Sequence, residues 1–394
     1  MAAMLELEEA QTRLLALASL MPAELIPAEA ALGRYLASDL KAARTQPARD
    51  LSAMDGYAIG DDSGPWNLIG ESRAGLAYDG TLGANETIRI STGAALPEET
   101  DRILIQENAA VENGLVSISC DAPGPGRHVR KRGIDFVEGD TILNTGSKIG
   151  PAQLALAISA GHKYLEVRQA PRIAVLDSGD ELAVDPTQCS ADQIPASNGV
   201  MLSAMFAELG CDVRRIGPVP DSMDAFREAL RQADGADVLI TSGGASVGDH
   251  DLVKPALEEW GASLDFWKVA IKPGKPLIVA SKGRQVVLGL PGNPVSSFVT
   301  AFLFALPLVR QMMGASSPLP RSVTAFAQTG LQAGGKRREF PRATWDAKGV
   351  SPLELQDSSA LSILSQSYCL IDRPAGALEV PAGEPVTVYP IEFG

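Results

Sequence analysis

The sequence is short of the residues that most metal and redox centres use. Only three of its 394 residues are histidine, His128, His162 and His250, and they do not have the spacing of zinc ligands. The four cysteines lie far apart and form no CxxC pair, which indicates reduced structural thiols rather than a zinc knuckle or a redox pair. The composition therefore argues against a histidine triad and against a zinc site.

Positive charge is scarce as well. Lysine and arginine number 34 against 48 aspartates and glutamates, so the formal net charge is −14, whereas general nucleic-acid binding needs a basic surface. The basic cluster at Arg127, Arg130, Lys131 and Arg132 has no interleaved aromatic residues and is most simply a solvated or inter-subunit face. An anionic substrate would need a local group of lysines or a metal ion to offset the overall negative field.

Long apolar runs and targeting signals are also missing. No apolar run reaches membrane-spanning length without a charge or a proline, and the N-terminus, with Glu6, Glu8 and Glu9, lacks the basic and apolar regions of a signal peptide. No GxxxxGK[ST] motif occurs, so a P-loop nucleotide hydrolase is not supported. With 45% hydrophobic and 21% charged residues, the chain is typical of a globular protein of roughly two to four domains, which we expect in the cytoplasm.

What the sequence does contain is a glycine loop after an apolar strand, within the stretch Asp237–Asp251 (DVLITSGGASVGDHD). The β-branched run 238–241 predicts a buried strand, and a helix is predicted over 252–259. Between them, the glycines let backbone amides approach an anion closely and the helix N-terminus adds a partial positive charge, so phosphate is the natural ligand. Asp249 and Asp251 would suit a Mg²⁺ ion beside that phosphate. The alternative, which a Gly-Gly pair alone favours, is a tight turn with solvated acids.

The pattern of apolar residues changes several times along the chain, which indicates several domains. The N-terminal segment is predicted to be helical, with a second helix over 28–40, and helical character returns at 151–161. Between these helices, short β-rich pieces and turns predict a small all-β module that is inserted in a discontinuous helical domain. After about Ala315, short β pieces return and predict a terminal β-barrel-like module. The predicted domain ranges are 1–47 with 134–168, 48–133, 169–315 and 316–394.

From Pro171 the sequence alternates strands with helices, which implies a parallel sheet covered on both faces. In such sheets, ligands bind at the carboxyl ends of the strands. The acidic and small residues that follow the predicted strands are Asp177, Asp180, Glu181, Asp221, Ser242, Gly243, Asp249, Asp251 and the loop 291–294. One edge of one domain is thus predicted to collect carboxylates and phosphate-compatible glycines.

Three lysines precede the last of those strands, in the sequence WKVAIKPGKP (267–276). Lys268 and Lys272 are four residues apart on a segment predicted to be extended, so they are expected to share a face, and Lys275 follows in a proline-rigidified turn. Three ammonium groups on a rigid frame suit an oxyanion, and the alternative is three solvated lysines on a loop. We favour the oxyanion, because this anionic chain places the lysines beside the acidic edge.

Two further groups of polar residues are weaker signals. Asp55 lies against a glycine in the turn-prone stretch 50–58, which by itself favours a structural turn over a functional site. Thr92 lies in the stretch 91–94, which is either a functional loop or a strand end. In the terminal module, the clustered polar candidates are Arg337, Arg338, Arg342, Ser358 and Ser359, and their spacing alone decides nothing.

Six short motifs carry a resemblance to a known family. They are SAMDGYA (52–58), STGA (91–94), DSGDEL (177–182), TSGGASVGDHD (241–251), IKPGKP (271–276) and LPGNPVSS (290–297). With them the chain resembles the molybdopterin molybdenumtransferase family of molybdenum cofactor biosynthesis, and it is also similar to the C-terminal part of gephyrin. Each glycine motif is modest by itself, but six in order over nearly the whole chain form a strong joint signal.

The resemblance implies a fold and a reaction. The fold is multidomain α/β plus β: a central α/β parallel-sheet molybdopterin-binding domain, a discontinuous helical linker domain, an inserted β domain and a C-terminal β-barrel, usually in a homodimer. In the reaction, molybdate is inserted into the dithiolene of adenylylated molybdopterin, with Mg²⁺-dependent release of AMP. A transient contact with molybdopterin adenylyltransferase would supply the substrate.

The resemblance also implies roles for residues of this sequence. The pterin phosphate would be held by the loop residues Ser242, Gly243, Gly244, Ser246 and Gly248. The metal or the phosphoanhydride would be held by Glu181, Asp221, Asp249 and Asp251. Molybdate or phosphate would be attracted by Lys268, Lys272 and Lys275.

Other positions would complete the site. Asp55 and Thr92 would approach from the partner subunit, and Asp135 is a further catalytic position that the family keeps. The remaining cofactor-binding positions are Pro273, Gly274, Pro291, Gly292, Asn293, Pro294, Arg337, Arg342 and Ser358.

Two positions depart from the family pattern. Asp177 stands where the family usually has Ser or Thr, and an added carboxylate near an anionic substrate should weaken binding unless it is paired with a cation. Ile134 stands in Gly-Ile-Asp, where Gly-Glu-Asp or Gly-Ser-Asp is more usual. The alternatives are a non-catalytic molybdopterin-binding or scaffold paralogue, which Asp177 would favour, and an adenylyltransferase acting on molybdopterin, which the length of the chain disfavours.

Overall fold

The structure of the chain is a computed structural model that describes residues 4–61, 63–243 and 252–391. Its N-terminal segment is helical only at the start, where α1 spans Leu7–Ala16; β1 (Ala23–Pro27), a 3₁₀ turn and β2 (Leu40–Lys41) follow. The helix predicted over 28–40 is therefore wrong. β1 pairs antiparallel with residues 164–168, and Leu36 bridges to the same strand, so pairing with a distant segment overrides local helix propensity.

The inserted segment is an all-β unit, as predicted. Its strands are β3 (Leu51–Ser52), β4 (Gly56–Ile59), β5 (Trp66–Ser72), β6 (Glu86–Ile90), β7 (Arg102–Ile105), β8 (Ala109–Glu112), β9 (Leu115–Ile118) and β10 (Val129–Arg130). Six of them form one sheet in the order β7-β4-β6-β5-β9-β8, and β10 pairs with β3. Apolar clusters lie against this sheet around Ile88 and around Trp66, both fully buried.

After the β unit, the chain returns to the N-terminal segment. The returning elements are β11 (Thr141–Leu143), α2 (Pro151–Ser159) and β12 (Tyr164–Arg168). β11 pairs with β2 and β12 pairs with β1, and one apolar cluster contains Leu36 together with Ile149 and Val167. The β unit is therefore inserted between two parts of one folded unit, although that unit has more strand pairing than the sequence predicts.

The central domain alternates strands and helices. Its elements are β13 (Arg172–Ser178), β14 (Leu182–Ala183), β15 (Ile194–Pro195), α3 (Asn198–Ala207), β16 (Asp212–Val219), α4 (Met223–Gln232), β17 (Val238–Ser242), α5 (Val253–Glu259), β18 (Ser263–Lys268), β19 (Ile271–Lys272), β20 (Pro276–Lys282), β21 (Gln285–Leu290), α6 (Pro294–Thr300) and α7 (Leu306–Met312). The main sheet has the order β16-β13-β17-β21-β20-β18. Helices α1, α3, α6 and α7 cover one face, and α4 and α5 cover the other.

Two details of the central domain differ from the prediction. Within the main sheet, only β16, β13, β17 and β21 are parallel. β20 runs antiparallel to β21 because a two-residue turn at Gly283 and Arg284 makes a hairpin of the two, and β18 runs antiparallel to β20. The single extended segment expected to carry Lys268 and Lys272 is also wrong. Lys268 ends β18 in the main sheet, whereas Lys272 lies in β19, which pairs outside it.

The C-terminal region is a β unit that docks on the central domain. Its elements are β22 (Val323–Phe326), β23 (Arg338–Glu339), β24 (Arg342–Asp346), β25 (Gly349–Pro352), α8 (Leu361–Leu364), β26 (Cys369–Ile371) and β27 (Pro385–Pro390). Five strands form a sheet in the order β22-β27-β26-β24-β25, and a bridge from Ala327 to Val350 brings its two edges together, as in a barrel. β23 leaves this sheet and pairs in parallel with β19 of the central domain.

One long helical run forms the middle of the core. Pro294–Met312 is apolar and long enough to span a membrane, but 89% of its most apolar window is buried inside the protein. It is α-helical except for a π-helical segment at Ala301–Ala305, just before Pro307. Proline has no N–H, so the carbonyl of Leu303, four residues earlier, lacks its α-helical donor. The buried side chain of Gln11 in α1 donates to that carbonyl over 2.9 Å.

We expect Gln11→Met to lower the free energy of unfolding by about 1–3 kcal/mol, because it keeps the volume but leaves the Leu303 carbonyl buried without a donor. Urea or thermal unfolding of the full chain measures this change. Glu9→Gln is a matched control on the exposed face of the same helix and should change stability by less than about 0.5 kcal/mol. Equal effects of the two substitutions would contradict the role given to Gln11.

Candidate active site

The carboxyl ends of the four parallel strands lie at one edge of the main sheet, which we call the carboxyl edge. β13 ends with Asp177 and Ser178, β17 with Ser242, and the loop 291–294 follows β21. β13, β17 and β21 are adjacent and in register, with Asp177 opposite Ser242 and Ser242 opposite Leu290. Among the described residues, small and acidic residues from separate strands meet at one edge, as predicted, while Asp249 and Asp251 lie outside the described residues.

A side chain that the sequence analysis did not single out joins two loops of the carboxyl edge. Asn198, at the first turn of α3, donates from Nδ2 to Ser242 Oγ over 2.9 Å and to the carbonyl of Gly292 over 2.7 Å. Gly243 follows Ser242 with a φ of +94°, and a side chain there would overlap the carbonyl of Ser178. Asn198 therefore clamps the glycine loop to the loop after β21. No feature of its local sequence, SNG, reveals this bridging role.

The acidic residues of the carboxyl edge are available to a cation. Asp180 accepts a hydrogen bond from the backbone N–H of Asp221 over 3.1 Å, which joins the loops after β13 and β16. Glu181 and Asp221 are exposed, and within the described residues neither carboxylate has a salt bridge. Such oxygen ligands without a basic partner fit the preference of Mg²⁺.

Of the four predicted metal ligands, Glu181 and Asp221 lie within the described residues, and Asp249 and Asp251 lie outside them. Across residues 4–61, 63–243 and 252–391, no three His, Cys, Asp or Glu side chains come together as metal ligands. The predicted partners of Glu181 and Asp221 lie outside the described residues. The predicted positions outside are Gly244, Ser246, Gly248, Asp249 and Asp251. The metal assignment stays a prediction.

A second polar feature is a cavity of about 490 Å³ between the central domain and the C-terminal β unit, which we call the junction cavity. The two-residue pairing of β19 with β23 forms part of its wall. Its charged lining residues are Lys272, Lys275, Arg337, Glu339, Arg342 and Asp357, and its other predicted lining residues are Pro273, Gly274 and Ser358. The structure thus brings together predicted residues from segments more than sixty positions apart in the sequence.

Arg342 is the most unusual residue of the junction cavity. Its side chain is 1% exposed, it donates from one terminal nitrogen to the carbonyl of Asp357 over 3.0 Å, and its Nε has no partner within the described residues. Burial lowers the pKa of Arg342, and the charge of Asp357 opposes this effect. A buried guanidinium without a paired carboxylate is costly, and a bound anion would remove most of that cost.

The junction cavity and the carboxyl edge are connected through Ser358. Asn293 donates from Nδ2 to Ser358 Oγ over 2.9 Å, and the backbone N–H of Val295 donates to the Ser358 carbonyl over 3.0 Å. Asn293 precedes Pro294, the first residue of α6, and its neighbour Gly292 is held by Asn198. A short chain of contacts therefore runs from the glycine loop to the cavity.

Not all predicted residues meet at these two places. Lys268 does not line the junction cavity; its Nζ lies 3.7 Å from the ring centroid of Trp267, a cation–π contact. Asp55 accepts hydrogen bonds from the N–H and hydroxyl of Thr92 over 2.6 and 3.0 Å, which lower its pKa. Asp135 is exposed. In the described part of this single chain, no hydrogen bond or ion pair joins Asp55, Thr92 or Asp135 to the carboxyl edge.

Asp177 is buried rather than displayed at the surface of the site. It is 3% exposed and accepts a hydrogen bond from the backbone N–H of Gly199 in α3, while its Oδ1 has no partner among the described residues. Burial raises the pKa of Asp177 to about 6, against the opposing effects of Arg215 and the Gly199 N–H. A Cβ at Gly199 would overlap Oδ2 of Asp177. The carboxyl therefore fits only because residue 199 has no side chain.

The chain matches three family models that together cover most of its length. They are "MoeA N-terminal region (domain I and II)" over 5–161, "Probable molybdopterin binding domain" over 174–311 and "MoeA C-terminal region (domain IV)" over 324–391. The molybdopterin molybdenumtransferase of Haemophilus influenzae is 32% identical over 400 aligned residues, which cover 98% of each chain. The chain belongs to the molybdopterin molybdenumtransferase family.

Other relatives agree with this membership. Molybdopterin molybdenumtransferase 2 of Mycobacterium tuberculosis is 33% identical, over 92% of this chain and 94% of its own. The fold agrees with two crystal structures of the molybdopterin biosynthesis MoeA protein of Pyrococcus horikoshii, which match 100% and 99% of this chain with TM-scores of 0.80 and 0.85, at 27% and 24% identity. The resemblance and the multidomain fold class are confirmed.

Among the two departures from the family pattern, Ile134 has a plain structural setting. Its side chain is 68% exposed, so the substitution disturbs no core. Asp177, in contrast, is buried and accepts a hydrogen bond from the backbone N–H of Gly199 at the start of α3. The four predicted domain ranges stay predictions.

We expect Gly199→Ala to destabilise the protein by about 1–3 kcal/mol, because the new methyl group overlaps the buried carboxylate. In an Asp177→Ser background, the same change should be neutral or stabilising by up to about 1 kcal/mol, since alanine favours the helix more than glycine does. The double-mutant cycle is measured by thermal unfolding. Equal costs of Gly199→Ala in both backgrounds would contradict the coupling of the two residues.

Asp177 also predicts a pH dependence of stability. Its pKa is raised on folding, from an ordinary value of 3.8 to about 6, so the folded state binds this proton more tightly than the unfolded state. Stability is therefore lost as pH rises from about 4 to 6, by up to about 3 kcal/mol. Asp177→Asn should remove this loss. The melting temperature of the variant should therefore rise relative to that of the unaltered protein as the pH increases from 4 to 7. A gain that does not vary with pH would contradict the assignment.

Proposed function

We propose that this chain inserts molybdate into adenylylated molybdopterin, with Mg²⁺-dependent release of AMP. The observation that carries the proposal is the buried guanidinium of Arg342, which has no salt bridge to a carboxylate of the described residues and lines a cavity rich in lysine and arginine. The chain has a net charge of −14, so this concentration of cations is not a general property of its surface. A small dianion such as molybdate matches the cavity in charge, and the names of the relatives agree with that substrate.

The basic residues of the cavity and Ser358 each have a part in the proposal. Arg342 presents donors of fixed geometry, which suit a tetrahedral oxyanion better than a point charge does. Lys272 and Lys275 are exposed and flexible enough to follow the anion, while Arg337 is anchored by a hydrogen bond to the carbonyl of Ile271 over 3.0 Å. Ser358 would add a hydroxyl next to the loop after β21.

The carboxyl edge would hold the pterin substrate. The backbone amides of the loop 242–248 and the loop 291–294 would bind its phosphate, since glycine loops at strand ends let anions approach closely. Glu181 and Asp221, with Asp249 and Asp251, would hold Mg²⁺, which would neutralise charge on the phosphoanhydride during the release of AMP. The contacts of Asn293 with Ser358 would keep the two anionic substrates close together.

The remaining parts of the proposal concern the assembly. Asp55, Thr92 and Asp135 lie on the inserted β unit and on the segment that follows it, so a partner subunit of a homodimer is the natural source of their contact with the carboxyl edge. Molybdopterin adenylyltransferase would hand over the substrate by transient contact, in the cytoplasm. The alternative of a non-catalytic binding or scaffold paralogue gains no support from Asp177, because that carboxyl is turned into the protein against Gly199.

The test is AMP release from adenylylated molybdopterin by the full chain, with and without molybdate and Mg²⁺. Release should need both ions. Arg342→Lys should reduce it about tenfold or more at limiting molybdate, because a buried bidentate donor is lost, and Asp221→Asn should weaken the dependence on Mg²⁺. Arg321→Lys, an exposed arginine of the same C-terminal unit, is the matched control and should behave like the unaltered protein. AMP release that is indifferent to molybdate would overturn the proposal.

A further inference from the structure

One carboxylate of the junction cavity forms an ion pair with a cation of the same cavity. Lys272 and Glu339 are direct partners in the pairing of β19 with β23, and Lys272 Nζ lies 3.1 Å from Glu339 Oε1. The other cavity carboxylate, Asp357, accepts two hydrogen bonds from Ser359 instead. Within the described residues, Glu339 is thus the one cavity acid that forms an ion pair with a lysine proposed to bind the oxyanion.

The two members of this pair differ in their freedom to move. Both backbones are held: that of Glu339 exchanges two hydrogen bonds with Arg373, over 2.8 and 2.9 Å, and the Lys272 carbonyl accepts the N–H of Phe340 over 2.8 Å. The side chains differ, since that of Glu339 is only 23% exposed. The side chain of Lys272 is 56% exposed and flexible. When the pair opens, the ammonium group is therefore the part that moves, and the carboxylate stays at the cavity wall.

The other charged groups that face Glu339 across the cavity are Lys275, Arg337, Arg342 and Asp357. With Lys272 and Glu339 included, four cations face two carboxylates, which leaves a net charge of two positive units. Because Lys272 already forms an ion pair with Glu339, a dianion can bind Lys272 only if that ion pair breaks. The Glu339 carboxylate would then lie unpaired next to the bound dianion. An unpaired carboxylate beside a bound anion repels it, so the affinity of the cavity for the anion is lowered.

We propose that Glu339 is a positioning residue that competes with the oxyanion for Lys272. In the empty cavity Glu339 holds Lys272, and on binding the ammonium group transfers to the anion. The inference rests on the proposed function, because it takes the junction cavity to be the oxyanion site. Glu339 thereby keeps the oxyanion weakly held, as a group that must be passed on to a second substrate requires.

The size of the effect follows from exposure. The pair is partly open to solvent, where ion pairs are weak, so removal of the competing charge should tighten binding about two- to fivefold. Titration calorimetry with sodium molybdate on the full chain measures this for Glu339→Gln, which keeps the size of the side chain. Glu354→Gln removes the same charge from an exposed position that does not line the cavity, and should leave the affinity unchanged.

A double-mutant cycle separates competition for Lys272 from a general effect of charge. In a Lys272→Met background there is no ammonium group to release, so Glu339→Gln should gain less than twofold. An equal gain in both backgrounds would show that Glu339 acts through the field alone and would overturn the proposal.

A second measurement needs no oxyanion. Acylation of lysines in the free protein, mapped by mass spectrometry, should modify Lys272 faster in Glu339→Gln than in the unaltered chain, with Lys275 as internal reference. Unchanged labelling of Lys272 would show that the pair does not hold it, and would overturn the proposal. Molybdate binding that is lost in Arg342→Lys but equal in Glu339→Gln would also overturn it, while the proposed function would stand. Absence of molybdate binding to every variant would overturn both.

Discussion

The pairing of β19 with β23 is the contact on which the site depends. It consists of two residues on each side, yet it joins the central domain to the C-terminal β unit and forms part of the wall of the junction cavity. Ion pairs of Arg338 with Asp372 over 2.6 Å and with Glu8 of α1 strengthen the same place, and the bond to Asp372 is the main cause of the raised pKa of Arg338. Three separate parts of the chain are thus fixed around one set of cationic side chains.

The central sheet determines where the second substrate would lie. Its parallel strands end at one edge because the helices that connect them return the chain to the opposite end of the sheet. Two side chains attach α3 to this edge. Asn198, in the first turn of α3, donates hydrogen bonds to Ser242 and Gly292, and Asp177, at the end of β13, accepts a hydrogen bond from the N–H of Gly199. The helix start is therefore held by polar contacts at a place where the apolar core ends.

Much of this arrangement follows from the sequence, for physical reasons that differ by region. β17 and α5 could be predicted because a β-branched run, a glycine loop and a helical segment occur in order, and the convergence of acids follows from the geometry of parallel sheets. The stretch 28–40 was mispredicted because its conformation depends on pairing with β12, more than a hundred residues away. The antiparallel direction of β18 and β20 was missed for a different reason: the apolar pattern of a strand does not show whether it is parallel or antiparallel to its neighbour.

The junction cavity could not be derived from spacing, and this limit has a structural cause. Lys272 and Arg342 belong to different domains, and only the short pairing of β19 with β23 brings their surroundings together. The family resemblance predicted these residues as site residues but did not predict which of them lie together. In the structure, the junction cavity is lined by Lys272, Lys275, Arg337 and Arg342, whereas Lys268 contacts the ring of Trp267. The 1% exposure of Arg342 and the burial of its Nε are likewise properties of the assembled fold.

The separation of the two polar places has a chemical consequence. Acids at the carboxyl edge suit a cation, whereas the cations of the junction cavity suit an anion, and mixing the two sets at one point would neutralise both. The chain keeps them apart on different structural elements and connects them through Asn293 and Ser358. An anion held in the cavity would lie close to the loop after β21, and Glu181 and Asp221, which would repel it, do not line the cavity. The junction between domains, rather than either domain alone, creates that separation.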